Sequence, residues 1–552
     1  MKKLILLSVI GLLLRFVGQP DIPAGFHRDE AGIAYSAYSI LKTGKDDWGQ
    51  WLPLHTRALG DYPPAFYNYL TALLIPFVGL NELAERLPAI LFGTLFIPLS
   101  FFWVRKLFRD ERLAWLVAAI VTISPWDIVQ SRAGSESIVA LTLTLLAWLL
   151  WSRWLRKPKK WQVPVIALLY CFALFSYNAV KLALPLLHLL LVWYWWKDVR
   201  KKLLASIFSV LFAVFAFGSV YLLPGAADNF AGNSIFKTNE PVGQEYFFRE
   251  GNQHVPVVVS RIFHNKLTSL TTQIMGNFGT LLGSNFLFFQ AAEPGRYEVP
   301  GAGQLLPFFA PFLLLGVFVS HRFTKRQRVF LFVWILLALL PAVITTTAFP
   351  HVKRSMYFFL PLYIFSAEGL LLTITWVKPL KLGRLLLSAL TFAGVWSFSY
   401  FLNQYLVHTQ YETILARDYG YKAAYEFIAT VESKYDTVQV FGSDESPEIF
   451  YFFYRKIDPK LVQAAASQRS TNIFSALHDR QSWSLGKYSF IAAECPSSGS
   501  LKLGILYFTH GSCVPAPEGD PNKGVFATET NILQETYYPN SDKRFVIFEK
   551  SE

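Results

Sequence analysis

The feature that most constrains this chain is a succession of apolar runs, each close to the ~20 residues a helix needs to cross a bilayer core. They lie at 4–19, 86–104, 112–125, 137–152, 161–177, 180–196, 203–223, 304–320, 329–347, 355–376 and 384–403. A soluble fold cannot hide so many greasy helices, and the composition agrees, with 53% hydrophobic and 16% aromatic residues in a chain of 552. The formal charge of +13 would suit a nucleic-acid binder if Lys and Arg lined one soluble face. They sit instead in short clusters between apolar runs, which makes the charge topological and excludes a nucleic-acid partner.

A further run at 64–80 decides the topology, because every later loop inverts if it crosses. With it lying in the interface, 22 basic residues fall on the cytoplasmic side: Lys2 and Lys3, then clusters at 105–112, 153–160, 197–202, 322–328 and 378–384. The short external loops then keep only Arg132, Lys181, Lys353 and Arg354. The positive-inside rule therefore favours a juxtamembrane helix at 64–80 and eleven spans, with the N-terminus inside and the C-terminus outside the cytoplasmic membrane. Lys2 and Lys3 before an apolar stretch imitate a signal peptide, but there is no small-residue cleavage site before Pro20. An uncleaved helix is expected, with Arg15 snorkelling to the outer surface.

The expected fold is thus an α-helical polytopic membrane protein with a small external α/β domain. The division is a helical module at 1–403, with external loops at 20–85 and 224–303, followed by the α/β domain at 404–552. In that last region 421–435 and 446–455 read as helices, and 437–441, 488–493, 503–508 and 545–549 as strands. No Gly-rich phosphate loop opens a helix there. Cys495 and Cys513 lack zinc spacing, and a disulfide between them requires an oxidising exterior. Cys171 reads as a small buried hydrophobe.

Two adjacent carboxylates, Asp29 and Glu30, follow the first span in the stretch His27-Arg28-Asp29-Glu30-Ala31-Gly32. Topology does not need them, since acids contribute little to orientation. One explanation is a pair of first-turn acids on a helix from about 29 to 42. The other is general-base catalysis, in which a carboxylate takes the proton of an acceptor hydroxyl as its oxygen attacks an anomeric carbon. A phosphate leaving group needs no acid but does need cations. Arg132, Lys181, Lys353 and Arg354 run against the positive-inside bias and are the candidates for that anion. Glu136 and His351 lie beside them in sequence, and Gly60-Asp61-Tyr62-Pro63-Pro64 completes the first loop. In the 224–303 loop, Tyr246, Phe247, Phe248 and Arg249 are candidates for covering the site or binding acceptor. Neither HExxH nor a DxDxDG loop is present, so no cofactor is required, although a divalent ion bridging Asp29 or Glu30 to phosphate stays open.

At these residues the chain resembles the GT-C superfamily, specifically the dolichyl-phosphate-mannose protein mannosyltransferases and aminoarabinose transferases. The matching parts are HRDEAGIAYSAYSILKTG, GDYPP, NELAERLPAILFG, SPWDIVQSRAGSE and SYNAVKLALP, in order over most of residues 20–200. The resemblance implies a cell-envelope glycosyltransferase and an inverting displacement on a polyprenyl-phosphate sugar, hexosyl or pentosyl. It implies a base at Asp29, with Glu30 as neighbour or substitute, and a protein, lipid or glycan acceptor. Several relatives place a Lys before the paired prolines to touch donor phosphate. This chain has Tyr62 there, which moves that contact to Arg132, Lys181, Lys353 or Arg354. Tyr62, Glu136 and His351 remain as substrate contacts, and Asp61 either supports the acceptor or caps the juxtamembrane helix. A transporter or flippase would place its ionisable residues near the midplane in two related halves, and no two halves match. A non-catalytic envelope-assembly protein is the remaining alternative.

Overall fold

The computed structural model describes residues 2–57, 62–199, 202–222, 234–236, 250, 252–290, 295–442, 446–469, 482–517, 520 and 523–551. Asp61 and the Tyr246–Arg249 stretch lie outside them. The chain forms two compact units: a helical unit of residues 1–17 and 89–404, and a mixed unit of 18–88 and 405–552. This differs from the division expected at 403/404. The first loop belongs with the C-terminal sheet, because its helices bury their apolar faces in that unit's core.

In the helical unit, each of the eleven apolar runs falls on a helix. Among the described residues five helices are long and apolar enough to cross a membrane: Glu82–Phe108, Glu136–Arg156, Lys325–Val343, Met356–Val377 and Gly383–Glu412. A sixth span arises if Glu111–Ile123 and Pro125–Arg132, bent by 49° at their junction, count as one. Pro125 causes that break, since it cannot donate to the preceding turn and starts the next helix at its first position. The freed carbonyls of Val121 and Thr122 are taken by Arg15, whose guanidinium also donates to Ser131 Oγ at 3.2 Å. Arg15 therefore does not snorkel; it is fully buried, satisfying orphan carbonyls at a helix end. The helices Ala310–Phe318 and Phe359–Val377 approach backbone to backbone through Gly316 and Gly369. A Cβ on either would lie under 2 Å from a carbonyl of the other helix.

The run at 64–80 forms a helix over Phe66–Val78, in the mixed unit. Its 13 residues span roughly 20 Å at ~1.5 Å each, short of a ~30 Å hydrocarbon core. It packs on the helix Arg28–Thr43, where Asn68 donates to the Ile33 carbonyl.

The rest of the mixed unit is a six-stranded sheet: β1 Thr437–Phe441, β2 Trp483–Leu485, β3 Tyr488–Ile491, β4 Ile505–His510, β5 Thr530–Tyr537 and β6 Lys543–Lys550. The order is β2-β3-β1-β4-β6-β5. β1 runs parallel to both neighbours and the other pairs are antiparallel. The short β2 and the weakly alternating β5 were not anticipated from the sequence. One face carries the larger core, in which Val438 and Val440 meet Phe450 and Phe452 of the helix Pro447–Tyr454, and Ala31, Ala34 and Tyr35 of the helix Arg28–Thr43. The other face packs Tyr507, Phe548 and Val514. Beside this second core Cys495 and Cys513 are disulfide-bonded, with Cα atoms 5.4 Å apart.

Candidate active site

The helix Arg28–Thr43 begins with a dense set of backbone caps. His27 is its N-cap: His27 Nδ1 accepts the Asp29 amide at 3.0 Å, and the Glu30 carboxylate accepts the His27 amide at 3.0 Å. A histidine in the role usually taken by Ser or Asp leaves little sequence signal. At the other end Gly44 closes the helix at φ 72°, a left-handed position that suits glycine.

The two acids have different surroundings. Glu30 is buried, and Arg86 holds it through Nε at 2.9 Å and a second guanidinium nitrogen at 3.4 Å. The same guanidinium donates to the carbonyls of Pro20, Pro23 and Gly25, stapling the loop ahead of the helix. Burial alone would raise the Glu30 pKa, but Arg86 and the His27 amide outweigh it and hold the carboxyl below its ordinary value. Asp29 is 46% exposed and opens into a recess shared with Arg28, Ser36, Asp47, Trp48, Arg57, Asn68, Glu448 and Arg469.

The walls of that recess were invisible in the sequence. Arg469 bridges to Asp47 Oδ2 at 3.0 Å and lies over the Trp48 ring at 4.0 Å, while Arg57 lies over the same ring at 4.5 Å. Burial raises the pKa of Asp47 against the pull of Arg469. Burial, and then the neighbouring Asp47, push Asp46 up to about 6. Asp46 and Asp47 carry no motif, and Arg469 is more than 400 residues away in the chain.

The helical unit holds the second charged centre. Lys353 is buried and hydrogen-bonded to Glu136, the first residue of its helix. Its ammonium lies 4.9 Å from the Tyr177 ring centroid and 5.6 Å from that of Tyr297. His351 accepts the Lys353 amide at 3.2 Å through Nδ1. Burial, followed by the charges of Arg354, Lys353 and Arg296, holds its pKa well below the ordinary value, so the imidazole is neutral. The turn carrying these residues is fixed by Trp126, whose indole donates to the Val352 carbonyl at 3.1 Å and stacks on Phe359. Arg296, Tyr177 and Tyr297 were not singled out from the sequence.

Lys353, Arg354, Glu136 and His351 are thus brought together, with Arg354 also donating to Thr347. The other two candidate cations have different local bonds. Arg132 is buried and donates to the carbonyls of Leu14 and Val17 at the end of the first helix, at 3.0 and 2.8 Å. Lys181 donates to Asn178 Oδ1 at 2.9 Å. Tyr62 precedes the helix Phe66–Val78 and is partly buried. Among the described residues no three His, Cys, Asp or Glu side chains form a group that could hold a metal ion.

The fold is the GT-C fold seen in solved structures, and among the described residues five helices, or six with the bent pair, are long and apolar enough to cross a membrane. ArnT from Cupriavidus metallidurans, solved bound to undecaprenyl phosphate, matches with a TM-score of 0.52 and 14% identity over 99% of this chain and 98% of that one. The oligosaccharyltransferase of Archaeoglobus fulgidus in its apo form gives a TM-score of 0.47 and 13% identity, covering 82% of this chain and 63% of that one. The oligosaccharyltransferase AglB of the same organism, in complex with an inhibitory peptide and a dolichol-phosphate, gives 0.46 and 14%, covering 100% and 74%. No family model and no curated protein matches the chain.

Proposed function

We propose that this protein is an inverting glycosyltransferase that moves a sugar, hexosyl or pentosyl, from a polyprenyl-phosphate carrier to an acceptor hydroxyl, with Asp29 as general base. The observation that carries the proposal is the division within the acidic pair. Glu30 is neutralised and locked, whereas Asp29 stays open to a recess from a rigid helix start. A base must reach its proton, and Asp29 meets that geometric requirement while Glu30 does not.

The chemistry assigns the remaining parts. As Asp29 takes the hydroxyl proton, the acceptor oxygen attacks the anomeric carbon and the bond to the carrier phosphate breaks. That phosphate departs ionised, so it needs positive charge rather than an acid. Within the helical unit Lys353, Arg296 and Arg354 form a group of cations with His351 among them, the kind of charge a phosphate requires. ArnT, whose fold this chain shares, was solved with undecaprenyl phosphate bound, which supports a carrier of that class. The acceptor is a protein, lipid or glycan hydroxyl, and no metal is assigned a step. The 22 basic residues on one side of the spans, and the disulfide, support placing the mixed unit outside the cytoplasmic membrane.

The test is transfer from undecaprenyl-phosphate sugars by the purified protein in proteoliposomes. Asp29→Asn is expected to lower kcat by about 10²–10⁴ without loss of folded protein. Undiminished transfer by that variant would remove Asp29 as the base.

A further inference from the structure

We infer that Asp418 is a positioning residue that holds Asp29 in its working orientation through the two residues that precede it, His27 and Arg28, an inference that rests on the reading of Asp29 as base. Asp418 lies almost 400 positions further along the chain, in the same mixed unit. Its carboxylate is only 3% exposed and takes three donors from Arg28: the backbone amide at 2.8 Å, Nε at 3.2 Å and a terminal guanidinium nitrogen at 2.9 Å. The His27 ring lies between the two acids, with Nε2 3.9 Å from Asp418 Oδ2 and Nδ1 3.8 Å from Asp29 Oδ2. Asp418 therefore grips the residue immediately before the base and flanks the imidazole that receives the base's own amide.

Two further observations separate this from an ordinary ion pair. Asp418 adopts φ 48° and ψ 44°, a left-handed conformation that costs an L-residue about 1 kcal/mol and that Asp tolerates better than most. The preceding backbone is pressed against the loop that leads into the base helix: a Cβ on Gly25 would lie 2.6 Å from the Arg417 carbonyl. Partly exposed ion pairs contribute little to stability, and Arg28 is 25% exposed, so the arrangement contributes more geometry than energy. A fork of two N–H donors plus a backbone amide on one carboxylate fixes a direction, which a proton acceptor needs.

The test compares Asp418→Asn, Arg28→Gln and their double variant with wild type and Asp29→Asn in the proteoliposome assay. Asn can still accept the Arg28 amide and tolerates the left-handed backbone, and Arg28→Gln supplies a second route should Asp418→Asn fold poorly. The expected result is a kcat lowered about tenfold or more in each single variant, an unchanged donor KM, and a double variant no worse than the poorer single one. Adding Asp418→Asn to Asp29→Asn is expected to cost nothing further, because positioning is worthless once the base is gone. A fall in thermal stability with kcat unchanged, or losses that multiply in the double variant, would overturn the inference. If Asp29→Asn itself retains full activity, the base reading fails; if only the Asp418 and Arg28 variants do, the positioning role alone fails.

Discussion

In the mixed unit Asp29 remains 46% exposed beside a Glu30 that Arg86 has sealed, whereas in the helical unit Lys353 is buried beneath two tyrosine rings and bonded to Glu136. The first centre leaves one carboxylate partly exposed to a recess. The second keeps Lys353 out of water, where the field of its ammonium is least screened. Under the proposed function Asp29 has to exchange a proton with its surroundings, whereas Lys353 only has to stay charged. Within the 27–30 stretch the two adjacent acids divide in the same way, Glu30 sealed against Arg86 and Asp29 partly exposed.

The largest expected effect is the loss of about 10²–10⁴ in kcat for Asp29→Asn, with little change in thermal stability. Glu30→Gln should show the reverse: a loss of about 3 kcal/mol in stability, because Arg86 is left as a buried charge without its counter-ion, with kcat per folded molecule nearly intact. Thermal unfolding in detergent alongside turnover separates the two, and equal effects on both readouts would erase the distinction between the acids. Lys353→Gln should lower kcat/KM for the lipid-phosphate donor by about 10², a loss typical of removing one charged donor from a site that holds an anion. Titrating the donor against wild type and variant checks it, and unchanged donor kinetics would confine this cluster to a structural role.

The smallest effect concerns Asp46. Its folded pKa is raised from 3.8 to about 6, so the protonated form suits the fold, and its contribution is complete below pH 4 and lost as pH rises through about 6. Asp46→Asn stays neutral and can keep accepting the Trp48 and Gln50 amides. The variant should be more stable than wild type at pH 7–8 by at most ~3 kcal/mol, with no advantage at pH 4. Melting temperatures across that range show whether the gain grows with pH.

Much of this was legible in local sequence. Apolar run length placed a helix at each of the eleven runs, and alternation found four of the six strands. The acidic doublet pointed to a helix start at 29, one residue from the observed Arg28. What escaped were long-range partners. Nothing at 86 announces that its arginine neutralises Glu30, nothing at 418 announces a grip on Arg28, and neither Arg296 nor Arg469 sits in a motif.

By itself the sequence determined which segments are helical and which acidic pair merited attention. Those properties depend on residues within one or two turns of each other or on summed hydrophobicity. Only the tertiary structure decided that residues 18–88 and 405–552 form one unit, and that Asp29 is open while Glu30 is sealed. Burial and charge pairing depend on what the folded chain brings within a few ångströms. Around this acidic pair the long-range partners are Arg86, 56 residues from Glu30, and Asp418, 390 residues from the adjoining Arg28.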